Sequence, residues 1–287
     1  MRQIQIGEVR VTRVVEIETI TNPTFLYREM VPEALAPHGE WLKPHFVDDE
    51  GRIIMAVQTF VIESEGARIV VDTCIGNGKE RSMPFWNDLD LPFLDDLTEA
   101  GFPPDSIDTV LCTHLHIDHV GWNTRQDSGG RWVPTFENAR YLFGREEWEA
   151  WKSTDDVARG HEHFGDSVLP IVEADLADFV ETDHELTSEV SLLSTPGHAP
   201  GHVSVRIASG GEEAVITGDL MHHPSQCAEP DWHCSADWDS EQAVRTRRDF
   251  LQRYADTPTL ILGTHFATPS KGHIVRDGSA WRFVAEP

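Results

Sequence analysis

Apolar and polar residues alternate along the first part of the chain in the two-residue period of half-buried strands. Strands are predicted over residues 4–6, 9–17, 53–62 and 68–71. Glu65-Gly66 is the expected turn between the last two. Residues 21–50 contain four prolines, and residues 75–90 have a loop-like composition. We therefore expect strands that are separated by two long irregular segments.

Later in the chain, three segments space their apolar residues as one face of a helix does. Helices are predicted over residues 91–100, 145–153 and 239–255. Gly101 would end the first helix, whereas Asp239 would cap the third and Gln242 would complete a capping box. Two apolar runs about Asp277-Gly278 predict a hairpin over residues 273–284. Strands and helices alternate, which predicts the mixed α/β class.

Four other apolar runs share one pattern, in which a strand-like stretch leads through threonine or glycine to a histidine or an aspartate. They precede Thr113-His114, Thr195-Pro-Gly-His198, Thr217-Gly-Asp219 and Gly263-Thr-His265. Such runs are typical of buried strands. Because neighbouring strands are rigid and end at one edge of a sheet, these side chains can converge although they are distant in sequence.

The densest group of polar side chains follows the first of these runs. His114 and His116 are two residues apart and point the same way on an extended chain. A turn after them would bring Asp118 and His119 to the same site. With the ends of the other runs, the candidate metal ligands are His114, His116, Asp118, His119, His198, Asp219 and His265.

Seven ligands are too many for one metal ion. Zinc takes about four ligands, and a catalytic zinc ion keeps one position for water. The set therefore predicts two ions per chain, with the two carboxylate oxygens of Asp219 as the bridge. Zinc is the expected metal, and manganese or iron are alternatives because nitrogen and oxygen ligands accept all three.

The overall charge changes which partners are expected. The net charge of −26 at pH 7 repels phosphate backbones and anionic membranes, so we expect a small-molecule substrate, no nucleic acid and no membrane. The 39% of hydrophobic residues suffices for one domain over residues 1–287. The sequence leaves both a monomer and a homodimer open.

The cysteines and the first residues bear on the compartment. None of the four cysteines forms a CxxC pair, and the first ten residues alternate like a strand instead of forming the apolar core of a signal peptide. We therefore expect reduced thiols and a cytoplasmic protein. A bridge between Cys227 and Cys234 stays an open alternative.

The motifs together resemble the metallo-β-lactamase superfamily. The matching marks are His114-Leu-His116-Ile-Asp118-His119, Thr-Pro-Gly-His198, Thr-Gly-Asp219, Gly-Thr-His265 and Val71-Asp72-Thr73. The resemblance implies a four-layer αββα sandwich with the metals at one edge of the paired sheets. It implies one metal on His114, His116 and His198 and the other on Asp118, His119 and His265. Asp219 would bridge the two ions.

Single positions indicate which group within the superfamily the chain resembles. True metallo-β-lactamases generally lack the bridging aspartate that this chain has as Asp219. Three other groups of the superfamily are disfavoured for this chain. Sulfur dioxygenases hold one iron, glyoxalase II enzymes carry a C-terminal helical region, and nucleases carry extra nucleic-acid-binding segments. The chain therefore resembles the group of N-acyl homoserine lactonases and methyl parathion hydrolases, and His198-Ala-Pro-Gly-His202 is similar to the lactonase motif. Lactonases of that type often place tyrosine three residues after the bridging aspartate, where this chain has His222.

The predicted function is a dinuclear-metal hydrolase that uses a metal-bound hydroxide to cleave a carboxylic ester, with a lactone as the preferred substrate. Asp118 and Asp219 are the predicted catalytic residues, Asp118 also as a proton shuttle. Phosphotriester hydrolysis is the main alternative. A glyoxalase II-like thioesterase, a β-lactamase and a non-enzymatic metal-binding module are further alternatives.

Residues near the motifs are expected to support the metal ligands or to line a pocket. Asp72 and His202 are expected to orient the ligands. His222 would either contact the substrate or lie in a solvated loop. Three aromatic residues, Phe85, Trp86 and Trp122, would line an apolar pocket or pack in the core. His161 and His163 follow no strand and are expected to be solvated.

Overall fold

Fifteen strands and seven short α-helices make up the computed structural model, within the described residues 3–153 and 163–286. The strands are β1 (Gln3–Ile6), β2 (Val9–Thr21), β3 (Ile53–Ser64), β4 (Ala67–Val71), β5 (Thr109–Leu111), β6 (Thr124–Gln126), β7 (Trp132–Pro134), β8 (Arg140–Gly144), β9 (Ala177–Val180), β10 (Val190–Ser194), β11 (Val203–Ser209), β12 (Glu212–Ile216), β13 (Leu260–Leu262), β14 (Lys271–Asp277) and β15 (Ala280–Ala285). The helices are α1 (Pro32–Leu35), α2 (Gly39–Leu42), α3 (Phe93–Glu99), α4 (Arg145–Ser153), α5 (Leu169–Glu173), α6 (Ser225–Ala228) and α7 (Ser240–Tyr254).

The strands form two large sheets and one small ribbon. The first sheet has the order β1-β2-β3-β4-β5-β8-β9, and the second runs from β10 to β15 in sequence order. β6 and β7 pair by themselves. Strands β4, β5, β8 and β9 are parallel to one another, and β12 is parallel to β13.

The apolar side chains divide into three clusters because successive residues of a strand point to opposite faces. On β4, Ile69 and Val71 face the second sheet, while Val70 faces the helices outside the first. On β12, Ala214 and Ile216 face the first sheet, while Val215 faces the outer helices of the second. Three apolar interfaces require four layers, so the predicted αββα sandwich is confirmed.

The strand directions bring several loops to one edge of the sandwich. β10 and β12 are both antiparallel to β11, so β10, β12 and β13 end on the same side of their sheet. β4 and β5 also end together. The loops that follow the two sheets meet there, since the Val203 amide donates to the Thr113 carbonyl at 3.1 Å. The four strand ends that the sequence marked, those of β5, β10, β12 and β13, all lie at this edge.

Two local predictions need correction, whereas the expected reduced state of the cysteines is confirmed. Strand β2 continues to Thr21 beyond a bulge between Val15 and Ile17, because the polar residues after the bulge still pair with β3. Asp239 caps α7 by accepting from the Gln242 amide, but the Gln242 side chain bonds to Thr246 and Arg245, so no capping box forms. The four cysteines are all buried and free, so the Cys227–Cys234 bridge is not formed.

The other element predictions hold to within a few residues at each end. Gly101 ends α3 in a left-handed conformation that its missing side chain permits. Residues 75–90 contain neither a strand nor an α-helix. Among the described residues, no helix has both the length and the apolar character needed to cross a bilayer.

Candidate metal centre

The seven predicted ligands lie together at the edge where the strands end. His114, His116, Asp118 and His119 occupy the loop after β5, while the other three follow β10, β12 and β13. Their ligand atoms form two groups, and within each group all atoms lie within 4.8 Å of one another. The first group is His114, His116, His198 and Asp219, and the second is Asp118, His119 and His265.

Asp219 lies between the two groups. Its Oδ2 atom is 3.2 Å from His198 Nε2 and 3.7 Å from His114 Nε2 in the first group. Its Oδ1 atom is 3.0 Å from His265 Nε2 and 3.3 Å from His119 Nε2 in the second. Each oxygen therefore faces a different group, which is the geometry that a bridging carboxylate requires.

The ring nitrogens that face the centre fit a metal better than they fit each other. His198 Nε2 and His116 Nδ1 are 2.9 Å apart, and His265 Nε2 and His119 Nε2 are 3.2 Å apart. When both rings of a pair are neutral and the outer nitrogens carry the protons, two lone pairs face each other. His114 Nε2 and Asp219 Oδ1 are buried without a hydrogen-bond partner among the described residues. Bound cations would satisfy all these atoms at once.

In four of the five candidate histidine ligands, a polar atom lies close to the opposite ring nitrogen and can orient the ring. The Thr113 hydroxyl lies 3.2 Å from His114 Nδ1, Asp72 Oδ2 lies 3.0 Å from His119 Nδ1, and the Ala56 carbonyl lies 2.8 Å from His265 Nδ1. Asp72 also accepts from the backbone and hydroxyl of Thr113, at 2.7 and 2.9 Å. Its position matches the expected orienting role.

Asp237 is a member of the site that the sequence did not indicate. Its side chain is fully buried, and Oδ1 lies 2.7 Å from His198 Nδ1 while Oδ2 accepts from the Cys234 amide at 3.0 Å. Burial would raise the pKa of Asp237, but the hydrogen bond and charge of His198 hold it below its usual range. The ionised carboxylate therefore holds a proton on Nδ1, so Nε2 is the nitrogen of His198 that would give up its proton to bind a metal.

The His202 side chain holds the backbone of Asp219 in place. Its Nδ1 atom lies 2.9 Å from both the hydroxyl and the carbonyl oxygen of Thr195, and its Nε2 atom accepts from the Asp219 amide at 2.9 Å. Burial lowers the pKa of His202 to about 3, so the ring is neutral. Gly218 must be glycine, since its φ is +54° and a Cβ there would come within 2.7 Å of His202 Nε2.

Glu147 is a second functional candidate that the sequence missed. It is fully buried on α4, and its two oxygens accept from the Leu115 amide at 2.9 and 3.0 Å, between His114 and His116. The Trp151 indole also donates to it at 3.2 Å. Burial raises the pKa of Glu147 to about 7. The residue anchors the ligand loop to a helix.

Burial and charge set the protonation of the ligands in the metal-free protein. Burial and the His119 ring hold the pKa of His114 well below its usual range, which leaves a lone pair available. Burial would raise the pKa of Asp219, but His119 and His265 hold it well below its usual range. Burial would lower the pKa of His119, but Asp219 and Asp72 raise it well above its usual value. A metal must therefore displace a proton from His119.

A cavity of about 650 Å³ opens onto the two groups. Asp118, Asp219 and His222 lie at its base. Its walls are mainly apolar and include Ile20, Phe25, Leu26, Met55, Val57, Met83, Phe85 and Trp86. None of the described lining residues is a lysine or an arginine. The cavity therefore suits a neutral ligand with an apolar part.

The predictions for His222 and Trp122 have different outcomes. His222 is 4% exposed, with Nε2 3.1 Å from Asp219 Oδ2, so it belongs to the site and not to a solvated loop. Trp122 does not line the cavity; its indole stacks on Phe93 at 5.7 Å and donates to Glu16 at 2.7 Å, because the chain turns into the core after His119.

The paired histidines after α4 also differ from expectation. His163 is buried and lines the cavity, so the prediction that it is solvated is wrong. Its ring lies 4.8 Å from that of Phe164 and 6.3 Å from that of Trp151. His161 lies outside the described residues.

Residues 53–265 match the family described as the Metallo-beta-lactamase superfamily. The chain belongs to this superfamily, as its motifs predicted. A curated relative is an N-acyl homoserine lactonase from Bacillus thuringiensis, 26% identical over 174 residues. That alignment covers 56% of this chain and 62% of the relative, so the chain spans about three fifths of the relative's length.

Two solved structures share the fold over nearly the whole chain. The dizinc quorum-quenching lactonase AidC, in complex with a product, has a TM-score of 0.80 and 22% identity and covers 100% of this chain and 97% of its own. The hydrolase AbOPH of the beta lactamase superfamily has a TM-score of 0.79 and 23% identity and covers 99% and 97%. At these identities the likeness establishes the fold.

Proposed function

We propose that this protein is a dinuclear metal-dependent hydrolase that opens lactones bearing an apolar acyl chain. The observation that carries the proposal is that the two oxygens of Asp219 face two separate ligand groups, which line an apolar cavity. Seven ligands for two ions are more than a structural zinc site needs, and the cavity leads a substrate to them. The curated relatives named N-acyl homoserine lactonases support the substrate class.

The residues of the chain divide the work of such a reaction. His114, His116 and His198 would hold one ion and Asp118, His119 and His265 the other, with Asp219 shared. Two divalent ions, zinc in our proposal, supply an acidified water and polarise a carbonyl when they are bound.

The carboxylate of Asp118, a member of the second ligand group, lines the cavity 3.5 Å from His265 Nε2. From there it can accept the proton of the attacking water and return it to the leaving alkoxide. Burial keeps the pKa of His222 below its usual value, so its neutral ring has one N–H. We assign His222 to orienting the substrate, since its ring lines the cavity next to Asp219.

Phosphotriester hydrolysis is the second candidate. The cavity has no lysine or arginine among its described lining residues, which suits a neutral triester as well as a lactone. His222 also stands where the lactonase motif has tyrosine, so one contact of the lactonase pattern differs in this chain.

The decisive experiment compares substrates on protein of known metal content. The kcat/KM should be highest for an N-acyl lactone, against an aryl ester and a neutral phosphotriester, and elemental analysis should give two ions per chain. A phosphotriester preferred by more than about tenfold, or about 1.4 kcal/mol of transition-state binding, would replace the lactone assignment. A metal content that stays at one ion after zinc is added would contradict the dinuclear site.

A further inference from the structure

The apolar wall opposite the metal ligands is built partly by a segment without regular structure. Residues 75–90 supply Met83, Phe85 and Trp86 to the cavity, yet no ladder of a sheet or helix fixes them. Such a segment must be held by side chains if the wall is to have a defined shape.

Internal hydrogen bonds first fold this segment onto itself. The Gly78 amide donates to the Leu89 carbonyl at 2.9 Å, and the Asp88 amide donates to the Lys79 carbonyl at 2.9 Å. The Arg81 amide donates to the Asn87 side chain at 2.9 Å. These bonds close the segment as a loop but do not tie its tip to the rest of the protein.

Asp166 connects this segment to the rest of the protein. Arg81 donates to its carboxylate through two nitrogens, at 2.6 and 3.1 Å, and Lys79 Nζ lies 3.5 Å from the same carboxylate. Both cationic side chains have no solvent exposure. Lys79 also donates to the Thr124 hydroxyl at 2.9 Å and lies 3.8 Å over the Trp132 ring.

The carboxylate is well suited to this role. Burial would raise the pKa of Asp166, but the hydrogen bond from Arg81 and the charges of Lys79 and Arg81 hold it below its usual range. Asp166 belongs to the π-helical turn Phe164–Val168, directly after His163, which lines the cavity. One carboxylate thus joins two segments that both form the cavity.

We propose that Asp166 is a positioning residue that fixes the apolar wall and thereby sets the selectivity for the acyl chain. The inference rests on the proposed function, because acyl-chain selectivity presupposes an acyl substrate. Asp166 does not line the cavity, so it acts through Arg81 and Lys79 on the residues that do. The metal ligands lie on other loops and should keep their geometry when the tie is broken.

The test is Asp166→Asn, which keeps the shape of the side chain but leaves the buried guanidinium of Arg81 without a counter-charge. Burial already lowers the pKa of Lys79 to about 7, so this amine can lose its proton in the variant, and its contact with residue 166 is weakened as well. The ratio of kcat/KM for a decanoyl over a butanoyl lactone should fall about tenfold, through KM, as burial of about two methylene groups is lost. Metal content and kcat for the butanoyl lactone should stay at wild-type values. Asp178→Asn is the matched control, because Asp178 and its partner Arg140 are about half exposed and such pairs contribute little.

Arg81→Lys is a milder variant that keeps the charge balance and loses only the paired hydrogen bonds. It should move the selectivity in the same direction by a smaller amount. A wild-type ratio in both variants, or an equal loss on both chain lengths, would overturn the proposal.

Hydrogen exchange separates this inference from the proposed function, since it needs no substrate. Peptides covering residues 78–88 should exchange faster in Asp166→Asn than in the wild type, while peptides covering β12 should not change. If no lactone is hydrolysed but exchange rises as expected, the proposed function fails and the wall assignment stands. Unchanged exchange at residues 78–88 would refute the wall assignment whatever the substrate is.

Discussion

Replacing Asp237 by asparagine should weaken metal binding although Asp237 touches no metal. The carboxylate accepts two hydrogen bonds in a fully buried position, from His198 Nδ1 at 2.7 Å and from the Cys234 amide at 3.0 Å. An asparagine side chain has one oxygen and one NH₂ group, so it can accept only one of these bonds. If its NH₂ group faces His198, the ring must place its proton on Nε2, and that nitrogen can no longer bind a metal.

The expected size of the effect follows from the lost bond. A hydrogen bond to a charged group contributes about 1.5–3 kcal/mol, and here one of two such bonds is removed. A loss of about 2 kcal/mol corresponds to about thirtyfold in affinity. Replacing carboxylates that orient histidine ligands typically costs about 10–100-fold in affinity or activity, which agrees with this value.

The assay is a competition titration of zinc between the protein and a chromophoric chelator, with kcat/KM measured on the same samples. Asp239→Asn is the matched control two residues away, because Asp239 caps α7 through the Gln242 amide and asparagine caps a helix equally well. The control should behave as the wild type. An Asp237→Asn protein whose metal affinity and kcat/KM lie within about twofold of the wild type would refute the orienting role.

Three further results are expected. Asp219→Ala should lose metal and nearly all activity, since it removes the shared ligand; retained activity would rule out the bridge. Burial would lower the pKa of His198, but hydrogen bonds to carboxylates raise it to about 9, so the metal must displace a proton. The apparent metal affinity should therefore rise at least about tenfold per unit from about pH 6 to about pH 8, and a flat titration would contradict this. Trp122→Phe should lower the free energy of unfolding by about 1–2 kcal/mol by removing the bond to Glu16, as a denaturant melt would measure, and acyl-chain selectivity should not change.

The seven candidate ligands could be recognised in the sequence because they follow the ends of only four strands, β5, β10, β12 and β13. The local pattern of apolar run, threonine or glycine, and ligand carries the information, and parallel strands bring the ends together. His198, Asp219 and His265 are far apart in the chain, yet each is recognisable in isolation. The four-layer fold followed from the resemblance that these motifs carry.

The supporting residues could not be predicted in this way, because each acts on a partner that is distant in sequence. Asp237 meets His198 across 39 residues, and Glu147 meets the Leu115 amide across 32. The sequence around each of these two acidic residues looks the same as the sequence around an acidic residue on the protein surface. Trp122 packs in the core, which was one of its two expected roles, because closeness to the metal motif in sequence does not mean closeness to the cavity.

The distribution of charge explains how a strongly acidic protein suits the proposed reaction. The net charge is −26, and the cations nearest the apolar wall, Lys79 and Arg81, are buried against Asp166 and do not face the cavity. A neutral lactone meets no repulsion on entry, whereas its hydrolysis creates a carboxylate. Apart from bound metal ions, no described cation lining the cavity would retain that product. In the proposed reaction, a net negative charge of this size would therefore favour release of the anionic product after each turnover.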